Sequence, residues 1–315
     1  MFFTKIISNF INFVFKLFNI IIVYRYGNPI GEIVYLTSFI HKLHKENPAR
    51  KIIVITKYHE IFFNNKKIFL NIKFSGNPNF NRFILFILNR INGLNIINFN
   101  PPLINLEKDI HFLINYSKKT HIANLLIKNN QDGDFKNVKN EFFFSEIEKK
   151  ELEIKLKLPE NFALIHSETK KDFSTIKNWG HKNIQEVVNG IKKIEWIQIG
   201  LSTEYNLNNV QHKFDLSIRE MAYVVYRCRF LVSLEGVFNH LASCFLKKNF
   251  LILSGMLPLE ATFYPNNIII SATENLSCFP CYKLNNCFVK NKPCTNKILP
   301  VHVIDKINNS FPNLR

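Results

Sequence analysis

The sequence predicts an α/β protein built from two Rossmann-like domains that face each other across a cleft. Three observations carry that expectation. Apolar runs of strand length alternate with stretches of helical periodicity along most of the chain. Several runs lead through glycine-containing turns into helices, the order that builds parallel sheets. A polar, charged stretch interrupts the alternation near the middle, and 315 residues suffice for two domains with a core each.

The first 23 residues are rich in Phe and Ile, but Asn9, Asn12, Lys16 and Asn19 interrupt them. A spanning helix needs about 20 mostly apolar residues, and no small-residue cleavage site is evident. The stretch reads as an amphipathic helix, about residues 2–17. It either lies on a membrane surface or packs on the protein itself. Ile20–Tyr26 is a buried-strand run, and Gly31–Lys45 sets Ile33, Leu36, Ile40 and Leu43 at helical spacing. Pro48 ends that helix, and Lys51–Thr56 is the next strand. Between residues 60 and 130 the pattern blurs: strands near Ile72 and Ile96, helices over Phe83–Ile91 and Ile110–Tyr116.

Residues 129–160 are polar, with Asp132-Gly133-Asp134 and Pro159, and the domain boundary is expected at 140–160, giving domains 1–150 and 151–315. Strands follow at Phe162–His166, Trp196–Ile199, Phe230–Ser233 and Phe250–Leu253. Helices are expected at Ile184–Lys192, Ile218–Cys228 and Val237–Leu246. Two such domains face to face form the GT-B arrangement, with ligands at the carboxyl ends of the strands.

The net charge of +17 accompanies abundant Lys, Asn, Ile and Phe, a skew that an AT-rich coding sequence produces without functional demand. Its distribution says more. Residues 1–100 carry 13 Lys or Arg against 3 Asp or Glu. That balance fits an anionic partner, or else a biased surface without one. Nucleic acid is not expected, for no RNP-type motif and no basic helical stripe occur. The absence of an export signal points to the cytoplasm.

Four places carry chemistry. Gly27-Asn28-Pro29-Ile30-Gly31-Glu32 joins the first strand to its helix. The three-glycine dinucleotide spacing is absent. Glu32 either stabilises the helix dipole or serves as a general base. Lys177, ahead of Trp179-Gly180, is either solvated or pairs with a diphosphate. Ser233–Ala242 contains a strand end, the Glu235-Gly236 turn and a helix start whose free N–H groups suit phosphate, with His240 one turn in. Cys278, Cys281, Cys287 and Cys294 form C-x2-C-x5-C-x6-C, which reads as a Zn or Fe site or as free or disulfide-linked thiols.

These residues resemble glycosyltransferase family 9, the ADP-heptose lipopolysaccharide heptosyltransferases and their relatives, over nearly the whole chain. Gly31-Glu32 resembles the family's Gly-Asp, whose Asp is the presumed base. Lys177 before Trp179 resembles its donor-phosphate ligand, Gly200 its turn glycine and Glu204 its nucleoside-binding acid. Glu235-Gly236-Val237-Phe238-Asn239-His240-Leu241-Ala242 resembles its Asp-Ser/Thr-Gly-x-x-His-Leu-Ala. The cysteines resemble a cluster that holds iron in the autotransporter-heptosyltransferase branch. Position 32 departs by one methylene, and the hydroxyl and second glycine of the donor motif are missing.

The resemblance implies inverting transfer from a nucleotide sugar, ADP-heptose first, to a lipopolysaccharide-core glycolipid or a protein. No cofactor is expected for catalysis. A peripheral position on the cytoplasmic face of the inner membrane is implied. The departures leave open a degenerate member that binds a nucleotide sugar without turnover, as a scaffold.

Overall fold

The computed structural model describes residues 2–26, 30–90, 95–99, 138–169, 175–283 and 287–315. The expected helix at 110–116, the Asp132–Asp134 run and the first three residues of the Gly27–Glu32 loop lie outside these. The chain divides into two compact units, the second of which takes in everything from Glu146 onward.

The first unit holds α1 (Phe2–Leu17), β1 (Ile20–Arg25), α2 (Ile30–Glu46), β2 (Lys51–Thr56), β3 (Ile68–Lys73), α3 (Pro78–Arg90) and β4 (Ile96–Asn98). Its four strands are parallel, in the order β3-β2-β1-β4. Runs such as IIIVYR and KIIVIT suit strands covered on both faces, because β-branched side chains pack well on a pleated surface. Ile22, Tyr24, Ile53, Ile55 and Ile96 point to one face, and Phe15 of α1 and Ile84, Leu85 and Leu88 of α3 pack there. The apolar side of α2 is buried through Ile33, Leu36, Ile40 and Leu43, the spacing read from the sequence.

A strap at 138–145 is clamped to this unit by polar groups. Asn140 Oδ1 accepts from Ser38 Oγ at 2.5 Å, and the Glu141 amide donates to Thr37 Oγ1 at 2.9 Å. The buried Glu141 carboxylate takes Lys67 Nζ at 2.5 and 2.7 Å and lies 2.8 Å from His41 Nδ1.

The second unit holds α4 (Glu146–Leu156), β5 (Phe162–Ile165), α5 (His181–Gly190), β6 (Glu195–Gly200), β7 (Gln211–Phe214), α6 (Ile218–Arg227), β8 (Phe230–Leu234), α7 (Val237–Cys244), β9 (Asn249–Ile252), α8 (Leu259–Thr262), β10 (Asn267–Ile270), α9 (Pro293–Asn296) and α10 (Pro300–Ser310). Its six strands are all parallel, in the order β10-β9-β8-β5-β6-β7. The two parallel sheets bear out the expected α/β class.

Several elements were not read from the sequence, among them β10, α10, α4 and β7. Residues 146–156, read as part of a polar linker, form α4, which buries Leu152 and Leu156 and sets two of its carboxylates against α6. Glu148 receives a two-pronged bond from Arg219 of α6, and Glu153 takes Arg227 and the Tyr223 hydroxyl. β7 (QHKF) is an edge strand with little apolar signal, held by its pairing to β6.

Removing the cation from a buried pair strands the carboxylate. Lys67→Met, which leaves Glu141 only His41 as a basic neighbour, is therefore expected to destabilise the first unit by about 3 kcal/mol, read as a lowered melting temperature in calorimetry.

Candidate functional site

In each sheet the chain starts at an inner strand and runs outward in both directions. From β1 it goes to β2 and β3 on one side and to β4 on the other. From β5 it goes to β6 and β7 on one side and to β8, β9 and β10 on the other. Connections that leave in opposite directions open a crevice at the carboxyl ends of the strands, and ligands of parallel sheets bind there. In the second sheet that crevice lies between β5 and β8.

His166, Ser167 and Glu168 directly follow β5. His166 is buried, its Nδ1 has no hydrogen-bond partner, and its ring lies 4.6 Å from that of Phe238 in the first turn of α7. Burial pulls its pKa down to about 4, so the ring is neutral at physiological pH. His166 thus bridges the two halves at the point where the order reverses.

Gln198, wholly buried on β6, organises the next loop. Its amide donates to Ser167 Oγ at 3.0 Å and to the Tyr205 carbonyl at 2.7 Å, and its carbonyl accepts from the Leu207 amide at 2.9 Å. That loop delivers Glu204, which accepts from the Leu201 amide at 2.9 Å and from Ser167 Oγ at 3.4 Å. A Cβ at position 200 would lie 2.5 Å from Glu204 Oε1 and 2.6 Å from its Cδ. Gly200 therefore makes room for the carboxylate. Burial pushes Glu204 up to about 7, with Glu168 and Asp215 adding like-charge repulsion against the hydrogen bonds from Leu201 and Ser167.

On the other side of the crevice, Glu235 directly follows β8 and is buried. Its Oε2 accepts from the Ser254 hydroxyl at 2.6 Å and from the Ser254 amide at 3.2 Å, while its Oε1 has no partner. A Cβ at Gly236 would meet nothing within 4 Å, so the backbone stands open where α7 begins. The first N–H groups of that helix have no partners within it. His240, in contrast, is tied inward, its Nδ1 lying 3.0 Å from the Tyr264 hydroxyl within the protein.

Lys177 sits in the turn before α5. Asn178 Oδ1 accepts from both the amide and the hydroxyl of Thr169 at 2.8 Å, and buried Trp179 anchors through Nε1 to the Ile298 carbonyl at 2.9 Å. These ties bring the Lys177 turn back to the end of β5. Gly180 closes it with φ +101°, which favours glycine.

In the first unit, Arg25 ends β1 and is buried, and it is ion-paired with Glu32 in the first turn of α2. Burial lowers Arg25 to about 10, so it stays charged at neutral pH. The candidate base therefore holds a buried guanidinium on one oxygen. Sequence reading found Gly31, Glu32, Lys177, Gly200, Glu204, Glu235, Gly236 and His240. It missed Arg25, His166, Ser167 and Gln198, whose only signal was a polar residue in or directly after an apolar strand.

The four cysteines gather beside the Gly255 loop. A Cβ at Gly255 would lie 3.0 Å from that of Cys294, and the Cys281 amide donates to the Gly255 carbonyl at 2.9 Å. Burial pushes the Cys281 thiol up, and the neighbouring Cys294, Cys278 and Cys287 thiols act in the same direction. Yet among the described residues no three His, Cys, Asp or Glu side chains are arranged to hold a metal ion. Cys287 turns its Sγ to the Val289 carbonyl at 3.3 Å.

No family model and no curated protein matches the sequence. The fold, however, is similar to that of solved structures. The family 9 glycosyltransferase from Veillonella parvula aligns with a TM-score of 0.66 at 13% identity, over 92% of this chain and 96% of that one. The E. coli ADP-heptose lipopolysaccharide heptosyltransferase II aligns at 0.65 and 10%, over 92% and 98%. TibC, a dodecameric iron-containing glycosyltransferase of enterotoxigenic E. coli, aligns at 0.64 and 12%, over 94% and 76%. TibC has also been solved with ADP-D-β-D-heptose. The two-sheet fold is thus the GT-B fold of these enzymes.

Glu204 generates a pH prediction. An unfolded Glu ionises near 4.5 and the folded one near 7, so between those values the folded state holds more protons. Stability of the second unit is expected to fall as pH rises through that window and to level off above it. Glu204→Gln is expected to flatten that slope in melting curves taken across the window.

Proposed function

We propose that the protein is a glycosyltransferase that moves a sugar from a nucleoside-diphosphate donor to an acceptor hydroxyl, with inversion at the anomeric carbon. The observation that carries this reading is the crevice between β5 and β8, where Ser167, Glu204, Glu235 and the open start of α7 converge on the edge at which a parallel sheet binds nucleotides. The likeness in fold to heptosyltransferases supports it and puts heptose first among the sugars.

Glu204 and its neighbours offer acceptors to ribose hydroxyls. The N–H groups that open α7 and the Lys177 ammonium meet the diphosphate, and they count most as it departs with its full charge. The Glu235 carboxylate suits sugar hydroxyls rather than phosphate, since like charges repel. Glu32 takes the proton from the acceptor hydroxyl as the new glycosidic bond forms and the bond to the diphosphate breaks. Arg25 holds one carboxylate oxygen and leaves the other to accept that proton. Chemistry of this kind requires no divalent ion. The acceptor is a lipopolysaccharide-core glycolipid or a protein, and the reaction belongs on the cytoplasmic side, where nucleotide sugars are made.

The Arg25–Glu32 pair also favours a second reading, a nucleotide-sugar-binding protein without turnover, if the guanidinium never releases the base. Mass spectrometry of products, with ADP-heptose and other nucleotide sugars offered alongside isolated glycolipid, separates the two. Turnover is expected to persist in EDTA. Glu32→Gln is expected to lower kcat by about a hundredfold with KM for the donor little changed. Lys177→Ala is expected to lower kcat/KM by about tenfold or more. Tight calorimetric binding of the donor with no transfer to any acceptor would establish the second reading instead.

A further inference from the structure

A nucleoside diphosphate carries three groups in fixed order: diphosphate, ribose and base. The carboxyl edge of the second sheet offers partners for the first two in that order. The open start of α7 follows β8, and the loop after β6 delivers Glu204. β5 lies between these strands, so the two strand ends are two spacings apart, about 10 Å. Carrying the same order one group further leads to the residue after Glu204, which is Tyr205.

Tyr205 is built as a fixed platform. Its backbone is tied on both sides: the amide donates to Glu168 Oε1 at 3.3 Å, and the carbonyl accepts from buried Gln198 at 2.7 Å. Its ring stacks on that of His181, with centroids 4.1 Å apart and planes inclined by 25°. His181 opens α5, directly after the turn that carries Lys177. Tyr205 is nevertheless 47% exposed, so the face of its ring turned away from His181 is open. A ring held in this way loses little freedom when a flat ligand lands on it. Every nucleobase has a π-face, and an aromatic side chain holds it by stacking without reading its edge.

We propose that the open face of Tyr205, backed by His181, stacks the base of the nucleotide donor. This rests on the sugar-transfer reading and adds the one donor group, the base, for which the α7 start, Lys177, Glu204 and Glu235 provide no partner.

The test is calorimetric titration of the full chain with ADP, GDP, UDP and CDP, and with pyrophosphate and ribose 5-phosphate as probes that carry no base. Tyr205→Ala is expected to weaken the tightest nucleotide by about tenfold or more and to leave the two base-free probes within about twofold. Tyr205→Trp gives an independent readout. It is expected to keep the nucleotide affinity, and its indole emission is expected to be quenched by that nucleotide and unchanged by pyrophosphate. The native Trp179 and Trp196 are buried, and the unaltered chain titrated in parallel gives their background. Equal nucleotide affinity in Tyr205→Ala and the unaltered chain overturns the proposal, as does an indole that the nucleotide leaves unquenched. A loss that extends equally to pyrophosphate and ribose 5-phosphate overturns it too and assigns Tyr205 to holding the loop. In each of these cases the unaltered chain still binds nucleotide, and the sugar-transfer reading stands. A chain that binds none of the four nucleotides sinks that reading and the stacking proposal with it.

Discussion

Parallel pairing is the constraint on which the rest of this molecule depends. A parallel strand cannot turn straight back to its neighbour, so each connection crosses over a face and returns to the starting edge. Every strand therefore ends on the same side of its sheet, and the helices that follow begin there. Because each sheet also starts from an inner strand, the crossovers leave that strand in opposite directions. The carboxyl ends of β1 and β5 become the places where backbone is drawn apart and side chains of distant sequence meet. Arg25 and Glu32 sit at one, and His166, Glu204 and Glu235 at the other.

These edges hold ionisable groups in surroundings that disfavour charge. Burial of a carboxylate is costly unless donors answer it. Three solutions appear. Glu32 shares a buried guanidinium. Glu235 is met by Ser254 on one oxygen only. Glu204 is answered by Leu201 and Ser167 and is still raised to about 7. Groups kept so incompletely satisfied stand ready for a ligand with hydroxyls to offer. The contrast with Glu141, which is surrounded by donors and serves only to fasten a strap, separates a structural carboxylate from the others.

The fold was legible where periodicity was strong. KIIVIT and IIIVYR could be nothing but covered strands, and Ile33 to Leu43 marked the buried side of α2. It was illegible where a neighbour supplies the stabilisation. α4 is highly charged, and its docking on α6, through Arg219 and Arg227 and through buried Leu152 and Leu156, shows only in the fold. Of the site, the glycines and acids at strand ends could be read from turn chemistry. Gln198 could not, because a glutamine inside an apolar run looks like an interruption until the loop that it pins is seen.

The sequence by itself determined the α/β alternation, the strand-to-helix turns that carry Glu32 and Glu235, and the clustering of the thiols, since each depends on residues near one another in the chain. Only the tertiary structure decided what those residues face. Arg25 claims Glu32 across a loop, Tyr264 turns His240 inward, and His166 reaches Phe238 across the strand reversal. The Gly255 loop brings the cysteines together, with Cys281 bonded to its carbonyl and Cys294 packed against it. Spacing along a chain sets which groups can meet, but burial and the competing hydrogen bonds of distant segments set how they are oriented, and in this protein orientation is what separates a ligand-facing group from a structural one.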